Sequence, residues 1–166
     1  MHGVAEMVEV LVERGRVVDV VERAVMRDGN LRHRSVYIAV LHDGQVIAHQ
    51  RADWKDVWPS RWDVAFGGVC DVGETFPAAA LRELAEEAGI TVTEPELLDM
   101  GDDRYESDEV RVVGRIYAVD HPGPFSFSDG EVQRVEWVPL DALAAWLDDH
   151  DVVDDSVALV VPRLAG

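Results

Sequence analysis

The chain has 166 residues, a length that suits one domain with a sizeable core. It is 48% hydrophobic with five tryptophans, which excludes a disordered chain, and no apolar run approaches the roughly 20 residues needed to span a bilayer. A formal net charge of −18 excludes general binding to nucleic-acid duplexes or anionic membranes, and the single cysteine, Cys70, excludes an internal disulfide.

Residues 1–10 lack a basic region followed by an apolar one, so a cytoplasmic protein is expected. In residues 6–21, two β-branched runs flank Glu13, Arg14 and Gly15 and predict a hairpin, with a short helix over 21–28 and a turn at Gly29 and Asn30. Residues 35–41 are almost continuously apolar, the pattern of a strand buried on both faces. Asp43 and Gly44 make a hairpin turn, and 45–51 return as a second strand that Arg51 closes. Lys55 and Arg61 follow in a loop rich in tryptophan. These three cations are candidates to hold phosphates, Arg51 and Arg61 through bidentate contacts, with ordinary surface ion pairs as the alternative. Trp54, Trp58 and Trp62 read as core and loop anchors rather than a stacking platform.

Residues 68–90 are the centre of the sequence. Gly68 opens a glycine-bearing loop that Glu74 closes. Thr75 is a good helix N-cap, Pro77 suits the first turn, and Gly89 is a natural stop. At the helical period, Leu81, Leu84, Ala85 and Ala88 form one apolar stripe, and Glu83, Glu86 and Glu87 cluster on the other side. Three neighbouring carboxylates repel one another, which leaves either a solvated acidic face or a site for a hard divalent cation such as Mg²⁺.

After the helix, residues 91–100 predict a strand with a turn at Glu94 and Pro95, and 101–108 a polar turn or exposed strand part. Residues 109–119 form a clear strand with Gly114 as a candidate bulge. Residues 121–130 are a loop, 131–138 the last strand, and helices are expected within 139–147 and 151–164. Phe125 and Phe127 in that loop could pack or stack a base.

The spacing of Gly68, Glu74, Arg82, Glu83, Glu86, Glu87, Gly89 and Ile90 resembles the Nudix box at every defined position. The resemblance implies an α/β fold, the Nudix α/β/α sandwich with a central mixed β-sheet and a loop–helix–loop catalytic motif. It also implies hydrolysis of a diphosphate linkage in a nucleoside diphosphate derivative or related organic pyrophosphate. By the same resemblance, Glu83, Glu86 and Glu87 would bind Mg²⁺ or Mn²⁺, helped by a backbone carbonyl of Gly67 or Gly68. Arg82 would fix Glu74, and the general base would be Glu83, Glu87 or Glu131, in that order. Family members often carry Glu-x-x-Glu-x-x-Trp where this chain has Glu131, Arg134 and Trp137, so only the first glutamate and the tryptophan match.

Residues 50–74 and the leading segment 1–30 are further similar to the isopentenyl-diphosphate-isomerase-like branch. Here Gly67 stands in place of that enzyme's catalytic cysteine and Val69 in place of a metal-binding histidine. Ser107 and Glu109 keep only half of a functional Glu-x-Glu pair. The expected chemistry is therefore that of the hydrolases, against a ligand-sensing module or an isomerase as alternatives. The expected partner is a small-molecule diphosphate, and the resemblance leaves a homodimer open.

Overall fold

The computed structural model describes residues 6–12, 15–55, 58–127 and 130–164. The expected leading hairpin is strands β1 (Met7–Leu11) and β2 (Val17–Glu22), paired antiparallel, and its turn residues Glu13 and Arg14 lie outside the described residues. Helix α1 (Arg23–Asp28) follows directly, and its Met26 is buried with Val8 and Val69 in a small core of its own.

Among the described residues, seven strands build the main sheet. β3 (His33–His42) is its central strand. It pairs parallel with β8 (Arg111–Asp120) and antiparallel with β4 (Gln45–Arg51) and β6 (Phe66–Val69). The short β5 (Trp62–Asp63) and β9 (Val132–Pro139) extend the sheet beside β4, and β7 (Leu98–Glu106) closes the other edge beside β8. The β3–β4 turn has Asp43 and Gly44 at φ 50° and 75°, the left-handed pair that a tight hairpin demands.

Alternation along β3 sends Val36, Ile38 and Val40 to one face and Tyr37 and Ala39 to the other, all buried. The first face is covered by helix α2 (Phe76–Glu83), through Ala79, Ala80 and Leu84. The second is covered by α3 (Leu143–Asp149), α4 (Asp154–Leu159) and α5 (Val161–Leu164), through Leu143, Trp146 and Leu159. This is the expected α/β/α sandwich on a mixed sheet.

Four local expectations need correction. Gly68 and Val69, expected as the opening of the loop, are the end of strand β6, because they pair with Val36 and Ser35 of β3. Ala85 is exposed: Leu84–Ala88 forms a π-helical turn, which has more residues per turn than an α-helix and so departs from the spacing of the apolar stripe. Residues 91–97, expected as the first part of a strand, are not strand: Glu94–Glu96 form a 3-10 turn and β7 starts only at Leu98, while the exposed strand part expected within 101–108 is the rest of β7 to Glu106. Gly114 is in regular register with Asp103, and the bulge lies in β7 between Asp99 and Asp102, across from the stretch between Arg115 and Tyr117. What requires glycine at 114 is the Tyr37 ring, whose Cε1 would stand 2.7 Å from an added Cβ. The tryptophans act as anchors in part. Trp58 is buried and Trp62 meets Trp146 edge to face, whereas Trp54 is exposed beneath the Lys55 ammonium. Phe125 and Phe127 pack on Phe66 and so belong to the core.

Candidate active site

Helix α2 starts where the sequence places it, with the Thr75 hydroxyl accepting from the Ala78 N–H at 3.3 Å. The π-helical turn that continues it ends at Gly89, whose φ of 68° is the left-handed stop. Between these ends, Arg82 is the hub of the site. Its Nε and Nη2 donate to the two Glu74 oxygens at 2.8 Å each, a bidentate pair. Its Nη1 donates to Glu83 at 2.8 Å and to Glu86 at 3.3 Å, and its Nη2 also donates to the Val69 carbonyl at 3.1 Å. Glu74 in turn accepts from the Asp71 N–H at 2.9 Å, so loop and helix are locked together.

The charges respond accordingly. The Arg82 hydrogen bonds hold the Glu74 carboxyl below the ordinary glutamate range, and Glu74 in return pushes the Arg82 guanidinium up. Burial raises Glu83 against the opposing pull of Arg82. Glu87 is pushed up to about 8, first by burial and then by the charge of Glu83, although the Gly67 N–H donates to it at 2.8 Å.

Glu83, Glu86 and Glu87 line one cavity of about 510 Å³ together with Gly67, Gly68, Arg51, Lys55 and Glu131. Glu131 comes from the segment before β9, where its carbonyl accepts from the Ala52 N–H. Its carboxylate takes an ion pair from Lys55 at 3.2 Å and adds to the field on Glu87. The cavity thus gathers three glutamates of the helix, a fourth from a remote loop, and cations from β4 and the loop after it.

Arg61 does not join them. It bonds Asp151 and Asp154 at 2.9 Å each, lies over the Trp58 ring, and is absent from the cavity wall. The alternative reading, a surface ion pair, is what its geometry shows. Gly67 offers its N–H to Glu87, and an added Cβ there would stand 1.9 Å from the Val36 carbonyl oxygen on β3. Gly68 is needed for a different reason: an added Cβ would meet the Glu83 carboxylate at 2.7 to 2.9 Å. Glu109 is exposed and lies outside the cavity.

Among the described residues, no group of three or more acidic, histidine or cysteine side chains converges as a metal cage. The bonding explains this, because Arg82 holds Glu83 and Glu86 while the Gly67 N–H holds Glu87. The donor set nevertheless fits a hard divalent cation. It consists of carboxylate oxygens crowded on one wall, and burial disfavours the charged form of two of them, Glu83 and Glu87, which a bound cation would offset.

Sequence reasoning missed a second acidic group on the same cavity. Asp63 and Asp155 are half-buried there, with Tyr37 donating to Asp155 at 2.8 Å and Ser156 to Asp63 at 2.6 Å. Burial and mutual repulsion raise Asp63, and burial raises Asp155. The one available signal was an aspartate set between Trp62 and Val64 in an otherwise apolar run. Arg23 and Arg27 of α1 also line the cavity and carried no signal at all.

The NUDIX domain family matches residues 31–158. An uncharacterized Nudix hydrolase of Yersinia pestis is 32% identical over 149 residues, covering 89% of this chain and 80% of the relative. The uncharacterized Nudix hydrolase YfcD of Escherichia coli is 32% identical over 146 residues, covering 87% and 79%. Among solved structures, DR0079 from Deinococcus radiodurans superposes with a TM-score of 0.78 at 23% identity, covering 97% of this chain and all of that one. The NUDIX domain of Shewanella oneidensis NrtR, solved with ADP ribose, superposes with a TM-score of 0.63 at 16% identity, covering 86% and 96%.

Proposed function

The chain belongs to the NUDIX family of hydrolases, and from that premise we propose that it hydrolyses the diphosphate linkage of a nucleoside diphosphate derivative with the help of Mg²⁺ or Mn²⁺. The observation that carries this reading is the convergence of Glu83, Glu86, Glu87 and Glu131 with Lys55 and Arg51 on one cavity. The ADP ribose in the Shewanella structure supports the substrate class, since it is itself a nucleoside diphosphate derivative.

A diphosphate resists attack because its oxygens repel nucleophiles. Nudix hydrolases generally use divalent metals, and such an ion neutralises that charge and lowers the pKa of bound water. Glu83, Glu86 and Glu87 are the residues that would hold it. Arg82 and Glu74 orient the glutamates from behind, in the way outer partners position metal ligands. Lys55 and Arg51 attract the phosphates, and Lys55 also restrains Glu131. For the general base, Glu87 accepts from the Gly67 N–H alone among the hydrogen bonds described, whereas Glu83 is already bonded to Arg82. Glu131 is the third candidate.

The catalytic cysteine of the isomerases has no counterpart here, since Gly67 stands in its place. Cys70 is buried, lies off the cavity, and has its thiol pushed up to about 12 by burial.

The test is Mg²⁺-dependent phosphate-bond cleavage across nucleotide sugars, dinucleoside polyphosphates, ADP-ribose, NADH, coenzyme A and nucleoside triphosphates, with Glu87→Gln beside the wild type. Cleavage of a panel member that is lost in the variant supports the reading. Metal-independent binding without turnover would replace it with a sensing role.

A further inference from the structure

The side of the cavity that abuts the C-terminal helices has polar groups of its own. Asp63 of β5 and Asp155 of α4 line it, beside the apolar side chains of Val110 and Val153. The charges that act most on Asp63 come from Asp155 and Arg51, whereas those on Glu87 come from Glu83, Lys55 and Glu131. The aspartates and the glutamates therefore stand in different parts of one cavity. The aspartates are firmly placed. Asp63 Oδ1 accepts from the Ser156 hydroxyl at 2.6 Å and from the Ala65 N–H at 3.0 Å. Asp155 accepts from the Tyr37 hydroxyl at 2.8 Å and from the Ser156 N–H at 2.9 Å. Both bonds to Asp63 fall on Oδ1, and among the described residues none reaches Oδ2, so that oxygen keeps its capacity to accept.

Trp58 has the opposite need. It is 8% exposed and lines the same cavity, and its indole N–H, closed off from solvent, meets no acceptor. A buried donor left without a partner is costly and uncommon in a fold. The indole is nevertheless fixed. The Arg61 guanidinium lies over its ring, 5.3 Å from the centroid, and the Trp58 backbone sits at φ 49°, a left-handed conformation that a residue with a side chain adopts at a cost. One part of the cavity thus holds a spare acceptor and a spare donor. A cation would satisfy Asp63 and leave the indole N–H as it is, and the charge of Arg51, which acts on both aspartates, opposes it. A further anion would meet two carboxyls. An uncharged group with an N–H beside a carbonyl or ring nitrogen suits both, and a flat one can also pack on Val110 and Val153.

We propose that Asp63 and Trp58 form a specificity pocket for the nucleobase of the substrate, the Asp63 carboxyl accepting from an N–H of the base edge and the Trp58 indole donating to a ring nitrogen or carbonyl. This deepens the hydrolase reading and rests on it for the place of the diphosphate at the glutamates. Asp155 is a positioning residue: it crowds Asp63 from α4, and its neighbour Ser156 holds Asp63 Oδ1.

The experiment titrates the full chain by calorimetry, with and without Mg²⁺. The probes are the α,β-methylene diphosphates of adenosine, guanosine, cytidine and uridine, whose diphosphate cannot be hydrolysed, and methylenediphosphonate, the same anion without a nucleoside. The variants are Trp58→Phe, which keeps a ring and removes the N–H, and Asp63→Asn, each checked by circular dichroism and unfolding temperature. Wild type is expected to bind at least one nucleoside probe about tenfold or more tightly than methylenediphosphonate, and to rank the bases. Trp58→Phe should weaken the preferred probe about threefold to tenfold and Asp63→Asn about tenfold, with methylenediphosphonate unaffected by either. With a cleaved substrate, KM should rise more than kcat falls. Methylating the preferred base at its N–H should abolish the preference in wild type, a test that does not depend on a variant folding. Equal affinity for all probes, or a base preference that survives both substitutions, overturns the proposal. So does a lowered unfolding temperature with unchanged affinities, which would make both side chains structural, and so does a Mg²⁺-binding event lost in Asp63→Asn while nucleoside affinity stays, which would make this a cation site. Diphosphate cleavage without any preference among bases would overturn the pocket and leave the hydrolase reading standing. Base-dependent binding lost in both variants, without cleavage of any diphosphate, would count against the hydrolase reading and support the pocket.

Discussion

The pair between Arg82 and Glu74 offers the most direct test of how the site is held. Two N–H···O bonds of 2.8 Å join them, and their side chains are 26% and 14% exposed. A hydrogen bond to a charged group contributes about 1.5–3 kcal/mol when buried, and solvent at Arg82 moves this pair toward the lower end. A double-mutant cycle of Arg82→Ala and Glu74→Ala should therefore give a coupling of about 2 kcal/mol. Arg82→Ala alone removes the partner of Glu83 as well, and Glu83 is only 11% exposed, so about 3 kcal/mol should be lost, or roughly 6–12 °C in Tm for a domain of this size. Urea unfolding followed by tryptophan fluorescence, without metal, measures all four proteins. The coupling must also depend on pH in one direction. Arg82 lowers the folded-state pKa of Glu74, so the stabilisation is complete above the ordinary glutamate value and disappears as pH falls through the depressed one. A coupling below about 0.5 kcal/mol at neutral pH, or one that persists in strong acid, would refute the argument.

Other expectations follow from the same geometry. Glu86→Gln and Glu87→Gln should each reduce turnover by orders of magnitude while the fold survives, and near-normal rates with either would remove them from the machinery. Asp63, pushed up to about 7 by burial and Asp155, keeps a proton on folding, so its contribution to stability is present below the ordinary aspartate value and is lost as pH rises through about 7. Asp63→Asn should flatten that decline in thermal unfolding between pH 5 and 8, and an unchanged slope would contradict it. Cys70→Ser should leave kcat within a small factor of wild type, since the thiol is off the cavity, and strong inactivation would reopen cysteine chemistry.

What the sequence disclosed was whatever depends on neighbours along the chain. The N-cap at Thr75, the stop at Gly89, the turn at Asp43 and Gly44, and the salt bridge from Arg82 to Glu74 are local chemistry, and each is found where expected. The alternation of β3 was hidden because both of its faces are buried, so its residues read as one apolar run. Arg61 was misplaced for a related reason. Residue type and position suggested a phosphate ligand, while its partners Asp151 and Asp154 lie some ninety positions away and reach it only through the packing of the C-terminal segment on β5. The same distance in sequence concealed the pairing of Asp63 with Asp155 and the approach of α1 to the cavity. The π-helical turn had no signal, because Ala and Glu suit either hydrogen-bonding pattern.

Gly67 and Gly68 show how two adjacent residues of the same type serve fold and site separately. A Cβ on Gly67 would stand 1.9 Å from a backbone oxygen of β3, an atom that moves only if the strand moves. A Cβ on Gly68 would stand 2.7 Å from Glu83 Oε1, the far end of a side chain that can turn aside. Gly67→Ala should therefore destabilise the domain by about 3 kcal/mol, the upper part of the usual range for overpacking. Gly68→Ala should leave the unfolding midpoint nearly unchanged while displacing the Glu83 carboxylate, so its effect should appear in kcat and in the Mg²⁺ concentration needed for half-maximal rate. Denaturant melts and metal titrations of the two variants separate these outcomes. A stable, active Gly67→Ala protein would mean that β6 does not lie against β3 as described. A Gly68→Ala protein with unaltered metal dependence would mean that the Glu83 position is not part of the catalytic arrangement.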